Sequence, residues 1–82
     1  MDNNKYKTAI QSKTICLVKY EMKLSNSSED IAYERVIQTK LYELLKDKDT
    51  GLCLEPIGFI YEAYILERNE SVDRMMEYIS HV

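Results

Sequence analysis

The sequence predicts a mainly helical protein in which an N-terminal β-strand is followed by a long two-helix hairpin. Three patterns support this fold: alternating side chains over residues 14–24, a capped apolar spacing over 28–48, and an apolar stripe beyond residue 56 that keeps helical phase. A chain of 82 residues predicts a single small domain, residues 1–82, of marginal stability. We expect the polar residues 1–7 to form a loose terminus.

The first predicted element is a β-strand over residues 14–24. Its even-numbered residues from Cys16 onward are apolar, whereas Lys19, Glu21 and Lys23 lie between them. Such a two-residue period is typical of a strand with one buried face. A helix over the same residues is the alternative, but it would place a lysine and a threonine on the buried face. We therefore predict the strand.

The second predicted element is a helix over residues 28–48. Ser27 and Asp30 resemble a capping box, because a serine oxygen can accept from free backbone N–H groups and an acidic first turn complements the helix dipole. Gly51 is a candidate for the C-terminal cap. The apolar residues share one side of a helical wheel, namely Tyr33, Val36, Ile37, Leu41, Leu44 and Leu45.

The third predicted element is a helix over residues 56–80, with a candidate break near residue 69 where Ser71 offers a new N-terminal cap. Arg68 and Ser71 are the polar residues on an apolar stripe that keeps helical phase over 26 residues. The alternative is a small α+β fold in which residues 57–66, rich in β-formers, pair with the first strand. The stripe consists of Ile57, Ile60, Tyr61, Tyr64, Ile65, Val72, Met75, Met76, Ile79 and Val82.

The sequence contains no constellation of catalytic or metal-binding residues. The single histidine, His81, and two cysteines in apolar surroundings, Cys16 and Cys53, are too few donors for a zinc site, and we expect both thiols to be reduced. Gly51 and Gly58 do not form a phosphate-binding motif. We therefore expect a protein that is not an enzyme and has no catalytic residue, no metal and no cofactor.

Charge and composition bear on location and origin. The formal net charge of -3 does not favour nucleic acid or an anionic membrane. No apolar run approaches the ~18 residues of a membrane span, so we expect a cytoplasmic protein without a membrane partner.

The composition bears on the origin of the protein. It contains 32 residues of the types Phe, Tyr, Met, Ile, Asn and Lys, against 9 of the types Gly, Ala, Arg and Pro. This bias indicates an AT-rich genome, such as that of a low-GC bacterium or its phages.

An acidic face on the last predicted helix is the candidate partner-binding site. Helical spacing would present Glu70, Asp73 and Glu77 together, with Glu62 one to two turns earlier and Arg74 among them. A solvated face that keeps the protein soluble is the competing interpretation. We predict a small regulator or inhibitor, encoded by a phage or other mobile element, that binds and blocks a partner macromolecule. The expected partner is a protein, and a nucleic-acid-binding protein is one candidate.

A homodimer is expected because a lone edge strand and a two-sided apolar helix both need to be covered. The candidate interface residues are Val18, Tyr20, Phe59 and Leu66.

The alternative function is a dimeric DNA-binding transcriptional repressor. Lys13, Lys19 and Lys23 would project from one face of the predicted strand. The order of strand, helix and helix is similar, in connectivity alone, to the ribbon-helix-helix architecture, in which paired strands contact the major groove. Lysines that protect a strand edge from aggregation are the competing interpretation.

Overall fold

The computed structural model describes residues 2–80, and within that range the chain has five α-helices and no strand. The predicted mainly helical class is confirmed, whereas the N-terminal strand and the α+β alternative are both wrong. The elements are α1 (Asp2–Ser25), α2 (Glu29–Ile37), α3 (Lys40–Lys46), two short 3-10 turns at Lys48–Thr50 and Leu52–Leu54, α4 (Ile57–Asn69) and α5 (Val72–Ile79).

Residues 14–24, predicted as a strand, lie in the middle of α1. Leu17 and Val18 are both buried, although neighbouring residues of a strand would point to opposite faces, and Glu21 joins them one helical turn later. The alternation of apolar and polar residues over 14–24 therefore did not indicate which face of α1 is buried. A lone strand would leave its backbone N–H and C=O groups unpaired, whereas a helix satisfies them within the segment.

The N-terminal part of α1 includes residues 2–7, which we predicted to be a loose terminus. Tyr6 is half-buried and packs against the core. It also lines a shallow groove with Lys46 and Lys48, so the first turns of α1 lie beside the end of α3. One aromatic side chain thus gives this polar segment an apolar anchor. Residue 1 lies outside the described residues.

A tight turn reverses the chain between α1 and α2. Asn26 adopts the left-handed conformation with φ 53°, and the Ser27 N–H donates to the Met22 carbonyl over 3.3 Å, which closes the end of α1. Ser28, one residue later than predicted, is the N-terminal cap of α2, because its Oγ accepts from the Ile31 N–H. The turn consequently brings the two helices into contact as a helical hairpin.

The helix predicted over residues 28–48 is two helices separated at Gln38 and Thr39. The Thr39 Oγ1 accepts from the Tyr42 N–H at 3.0 Å and donates to the Val36 carbonyl at 2.7 Å. Glu67 of α4 accepts from the N–H groups of the first two residues of α3, at 2.8 and 2.9 Å. Free N–H groups at the start of α3 are therefore satisfied by a carboxylate from a distant part of the chain.

Residues 56–80 form two helices with the break where we predicted it. The Ser71 Oγ accepts from the Arg74 N–H at 3.1 Å and caps α5, as predicted. After the break, α5 folds back along α4, so that the rings of Phe59 and Tyr78 stack with centroids 4.8 Å apart. Residues on either side of the turn therefore face each other, and Val82 of the predicted stripe lies outside the described residues.

The helices close on one apolar core to which all five contribute, together with the second 3-10 turn. Gly51, with φ 67°, caps the first 3-10 turn in the left-handed conformation, close to its predicted role as a C-terminal cap. Among the helices within residues 2–80, none combines the length and apolarity needed to cross a membrane. The core consists of Leu17, Val18, Ala32, Val36, Leu41, Leu45, Leu52, Cys53, Ile60, Ala63, Tyr64 and Met75.

Docking of α5 on the core depends on Met75, which is fully buried, whereas its neighbour Met76 is 36% exposed. We expect Met75→Ala to lower the free energy of unfolding by about 2 to 4 kcal/mol, because it leaves a cavity in the core. Met76→Ala is the matched control and should cost below about 1 kcal/mol. Urea denaturation at neutral pH measures both, and equal losses would contradict the described packing of α5.

Candidate functional site

The most constrained group of polar side chains is centred on Glu21, whose carboxylate is buried beneath α2 and α4. Its Oε1 accepts from the Tyr64 hydroxyl at 2.6 Å and from Arg68 Nε at 2.8 Å. Its Oε2 accepts from Arg35 Nη1 at 3.2 Å and from Arg68 Nη2 at 3.3 Å. Arg68 therefore binds the carboxylate in the bidentate manner that gives a guanidinium its strongest pairing.

These contacts determine the charge state of Glu21. Burial alone would raise its pKa, but hydrogen bonds from Arg68, Tyr64, Ser25 and Arg35 outweigh that effect and lower the pKa from 4.5 to about 2. Burial and the hydrogen bond to Glu21 raise the pKa of the Tyr64 hydroxyl above its ordinary value. Glu21 is thus a permanent anion near neutral pH, and its acceptor positions are occupied. It holds three helices together and is not available as a general base.

Within the described residues, the remaining nucleophilic and metal-ligating side chains form no cluster. Across the part of the chain that the structure describes, no group of three His, Cys, Asp or Glu residues comes together as a metal site. Cys16 and Cys53 are free thiols, half-buried and buried respectively. His81 lies outside the described residues.

All four residues predicted at a dimer interface are packed within the chain. Val18 belongs to the core. Tyr20 lies against Tyr61, with ring centroids 4.4 Å apart. Phe59 stacks on a tyrosine of α5, and Leu66 packs on the core between α4 and α5. Phe59 and Leu66, which we expected to make the last helix apolar on a second side, are therefore partly buried against α5 and the core.

The three lysines predicted to contact DNA do not share a face. Lys13 Nζ donates to the backbone carbonyl of Cys53 at 3.0 Å and so ties α1 to the second 3-10 turn. Lys19 and Lys23 are exposed and lie one helical turn apart on α1. A strand would have placed all three lysines on one face, but α1 is a helix and separates Lys13 from the other two.

The predicted acidic face is exposed but partly neutralised. Glu62 and Glu77 line a groove between α4 and α5, and Arg74 lies in the same groove. Arg74 Nε is also 3.3 Å from Glu70 Oε1. Asp73 is exposed in the first turn of α5, outside that groove. The structure thus brings three of the four carboxylates, Glu62, Glu70 and Glu77, together around the Arg74 guanidinium.

A second surface, which the sequence did not predict, lies between α1 and α2. We call it the α1/α2 groove; it encloses about 430 Å³. Ile15 and Tyr33 border it with 56% and 46% of their surfaces exposed. The α1 side contributes Thr14, Ile15, Val18 and Lys19, and the α2 side contributes Glu29, Asp30, Tyr33 and Glu34.

The acidic face of α5 and the α1/α2 groove are the two candidate binding surfaces, and they differ in geometry and composition. No protein-family model, curated protein or solved structure matches this chain. The α1/α2 groove combines large exposed apolar side chains with charged margins, which is the composition of interaction sites. A helical spacing of Ile15 with Val18 and of Asp30 with Glu34 could have indicated it, had residues 14–24 been predicted as helix.

The lowered pKa of Glu21 predicts how stability depends on pH. The folded state binds this proton more weakly than the unfolded state, so the contribution is fully present above pH 4.5 and is lost as pH falls toward about 2. The size of the shift corresponds to roughly 3 kcal/mol. Glu21→Gln should remove this part of the acid sensitivity and destabilise the fold at pH 7 by about 2 to 4 kcal/mol.

Urea unfolding at a series of pH values between neutral and acid measures both effects. Glu34→Gln is the matched control, because Glu34 is an exposed glutamate of α2 that precedes Arg35 in the sequence. It should leave the pH profile of the wild type unchanged. Parallel profiles for wild type and Glu21→Gln would show that Glu21 is not the group responsible.

Proposed function

We propose that the protein is a non-enzymatic interaction protein, a small regulator or inhibitor that binds and blocks a partner macromolecule. The observation that supports this proposal is the α1/α2 groove, where Ile15 and Tyr33 remain exposed although the chain has a complete core elsewhere. Single exposed apolar residues are common on protein surfaces, but their grouping along a groove marks a binding surface.

The charge and the hydrogen bonding of the buried Glu21 support a role without catalysis. Glu21 is the buried charged residue of the described chain, and its oxygens are fully engaged by Tyr64, Arg68 and Arg35. A catalytic carboxylate needs a proton that it can exchange with substrate near the working pH. Glu21 serves instead to fix α1, α2 and α4, and thereby the walls of the groove.

The α1/α2 groove is a better candidate than the acidic face of α5. Arg74 pairs with Glu70 and reduces the negative field around Glu62 and Glu77. Glu29, Asp30 and Glu34 lie beside exposed apolar surface, and within residues 4–80 no cation lies within 4 Å of their carboxylates. Charge next to apolar area favours association more than a partly neutralised face.

The second candidate function, a dimeric DNA-binding repressor, has weaker support. Lys19 and Lys23 form a small basic pair on α1, but Lys19 lies across the groove from Glu29 and Asp30. Those carboxylates would oppose the approach of phosphates. A gel shift whose affinity falls steeply with salt would favour this candidate over a protein partner.

Self-association stays a prediction. Its two original reasons, an unpaired strand and an outward Phe59 and Leu66, do not hold within the described residues. Sedimentation velocity at micromolar concentration measures the oligomeric state directly, and a monomer would contradict the homodimer.

A capture experiment tests the proposed function through the groove. We expect immobilised wild type to retain a specific protein from lysate of a low-GC bacterium, and Ile15→Gln to reduce its recovery about tenfold, since a central apolar contact is worth more than 1 kcal/mol. Leu54→Gln is the matched control, because Leu54 is similarly exposed, at 42%, on the second 3-10 turn.

Thermal unfolding establishes that both variants are folded. Recovery that is unchanged by Ile15→Gln, or equally reduced by Leu54→Gln, would contradict a groove-dependent interaction. No protein enriched over bare resin would contradict the proposed function itself.

A further inference from the structure

We infer that the α1/α2 groove is a docking site for an amphipathic helix of a basic partner protein, with lysine or arginine residues along one edge of its apolar stripe. This inference rests on the proposed function, because it states which chemistry the partner presents to the same groove. It also fixes the orientation of that helix, since the two walls of the groove carry opposite charge.

The shape of the groove suits a helix. α1 and α2 pack against each other and supply the two walls of the groove, so a third helix laid along it would contact both. Ile15 and Val18 are three residues apart on α1, so they lie on one face of it, and Tyr33 approaches from α2. An amphipathic helix offers apolar residues at the same three- and four-residue spacing, which is the usual way that a helix fills such a groove.

The charges of the groove select a basic occupant. Glu29, Asp30 and Glu34 lie on the α2 wall, with Asp30 and Glu34 one helical turn apart. Lys19 lies on the opposite wall. Lysine or arginine residues on one edge of the docked helix would therefore face α2, while a neutral or acidic edge would face Lys19. This asymmetry distinguishes the parallel and antiparallel directions of docking.

The same charges disfavour the other occupants. In a symmetric pair of copies, each groove would bring three carboxylates and one lysine to the interface, which leaves an excess of like charge. A nucleic acid would place phosphates against the α2 wall. A small apolar ligand would contact Ile15 and Val18 without using the carboxylates, so its binding would not depend on Asp30 or Glu34.

Two synthetic peptides of equal length test the inference. Both carry the same apolar stripe at helical spacing, and one has lysines along an edge where the other has glutamates. We expect fluorescence anisotropy to show at least about tenfold tighter binding of the lysine peptide by the wild-type protein, with affinity decreasing as salt increases. Amide shifts in NMR spectra should map the bound peptide to residues 14–19 and 29–34.

Variants of both walls give changes of opposite sign. Asp30→Asn with Glu34→Gln should weaken binding of the lysine peptide about tenfold, whereas Lys19→Gln should strengthen it by about two- to fivefold, because it removes repulsion. A gain of affinity cannot be produced by partial unfolding. The matched control is Asp73→Asn with Glu77→Gln. It also removes two negative charges, but from α5, where one of them lies in the first turn, and it should change affinity less than twofold.

The inference is overturned if the glutamate peptide binds as tightly as the lysine peptide, if the amide shifts map outside the groove, or if the α5 pair weakens binding as much as the α2 pair. Its failure is distinguishable from failure of the proposed function. Groove-dependent capture from lysate without selective binding of the lysine peptide would leave the proposed function in place and overturn the chemistry assigned to its partner.

Discussion

The carboxylate of Glu21 is the point at which α1, α2 and α4 are held to one another. A charge removed from water is costly unless its oxygens receive full hydrogen bonding, and here Tyr64, Arg68 and Arg35 supply it. The arginines reach the carboxylate from α2 and α4 with their stems partly in solvent, so the cluster needs both helices in place. Together with the apolar core, this anchor holds α2 and α4 against α1, and so supports the walls of the groove between α1 and α2.

Local signals in the sequence predicted the second half of the fold well. The apolar stripe identified α4 and α5, and Ser71 marked their junction because a serine cap acts within its own turn. The stripe gave no information about direction, however, because a helix that folds back and a helix that continues have the same spacing. The position of the break between α2 and α3 was not predicted, since Thr39 is an ordinary polar residue until Glu67 arrives from α4.

The strand prediction failed for a related reason. Glu21 was assigned to an exposed face because a carboxylate is rarely buried without a partner, and its partners lie 14 to 47 residues away. One clue was present: Arg68 interrupts an otherwise apolar stripe, and an arginine on a buried face requires a buried anion. Without the helical assignment of α1, Ile15, Val18 and Lys19 could not be placed on a wall with α2, so the groove was not predicted either.

The capping of α3 by Glu67 orders the events of folding. A helix of seven residues is too short to persist alone in water, and the carboxylate that satisfies its first N–H groups belongs to a later helix. The hairpins α1 with α2 and α4 with α5 close over short loops and can form early, because their contacts are local. α3 depends on burial of Leu41 and Leu45 and on the Glu67 cap, so we expect it to consolidate only after α4 is in place.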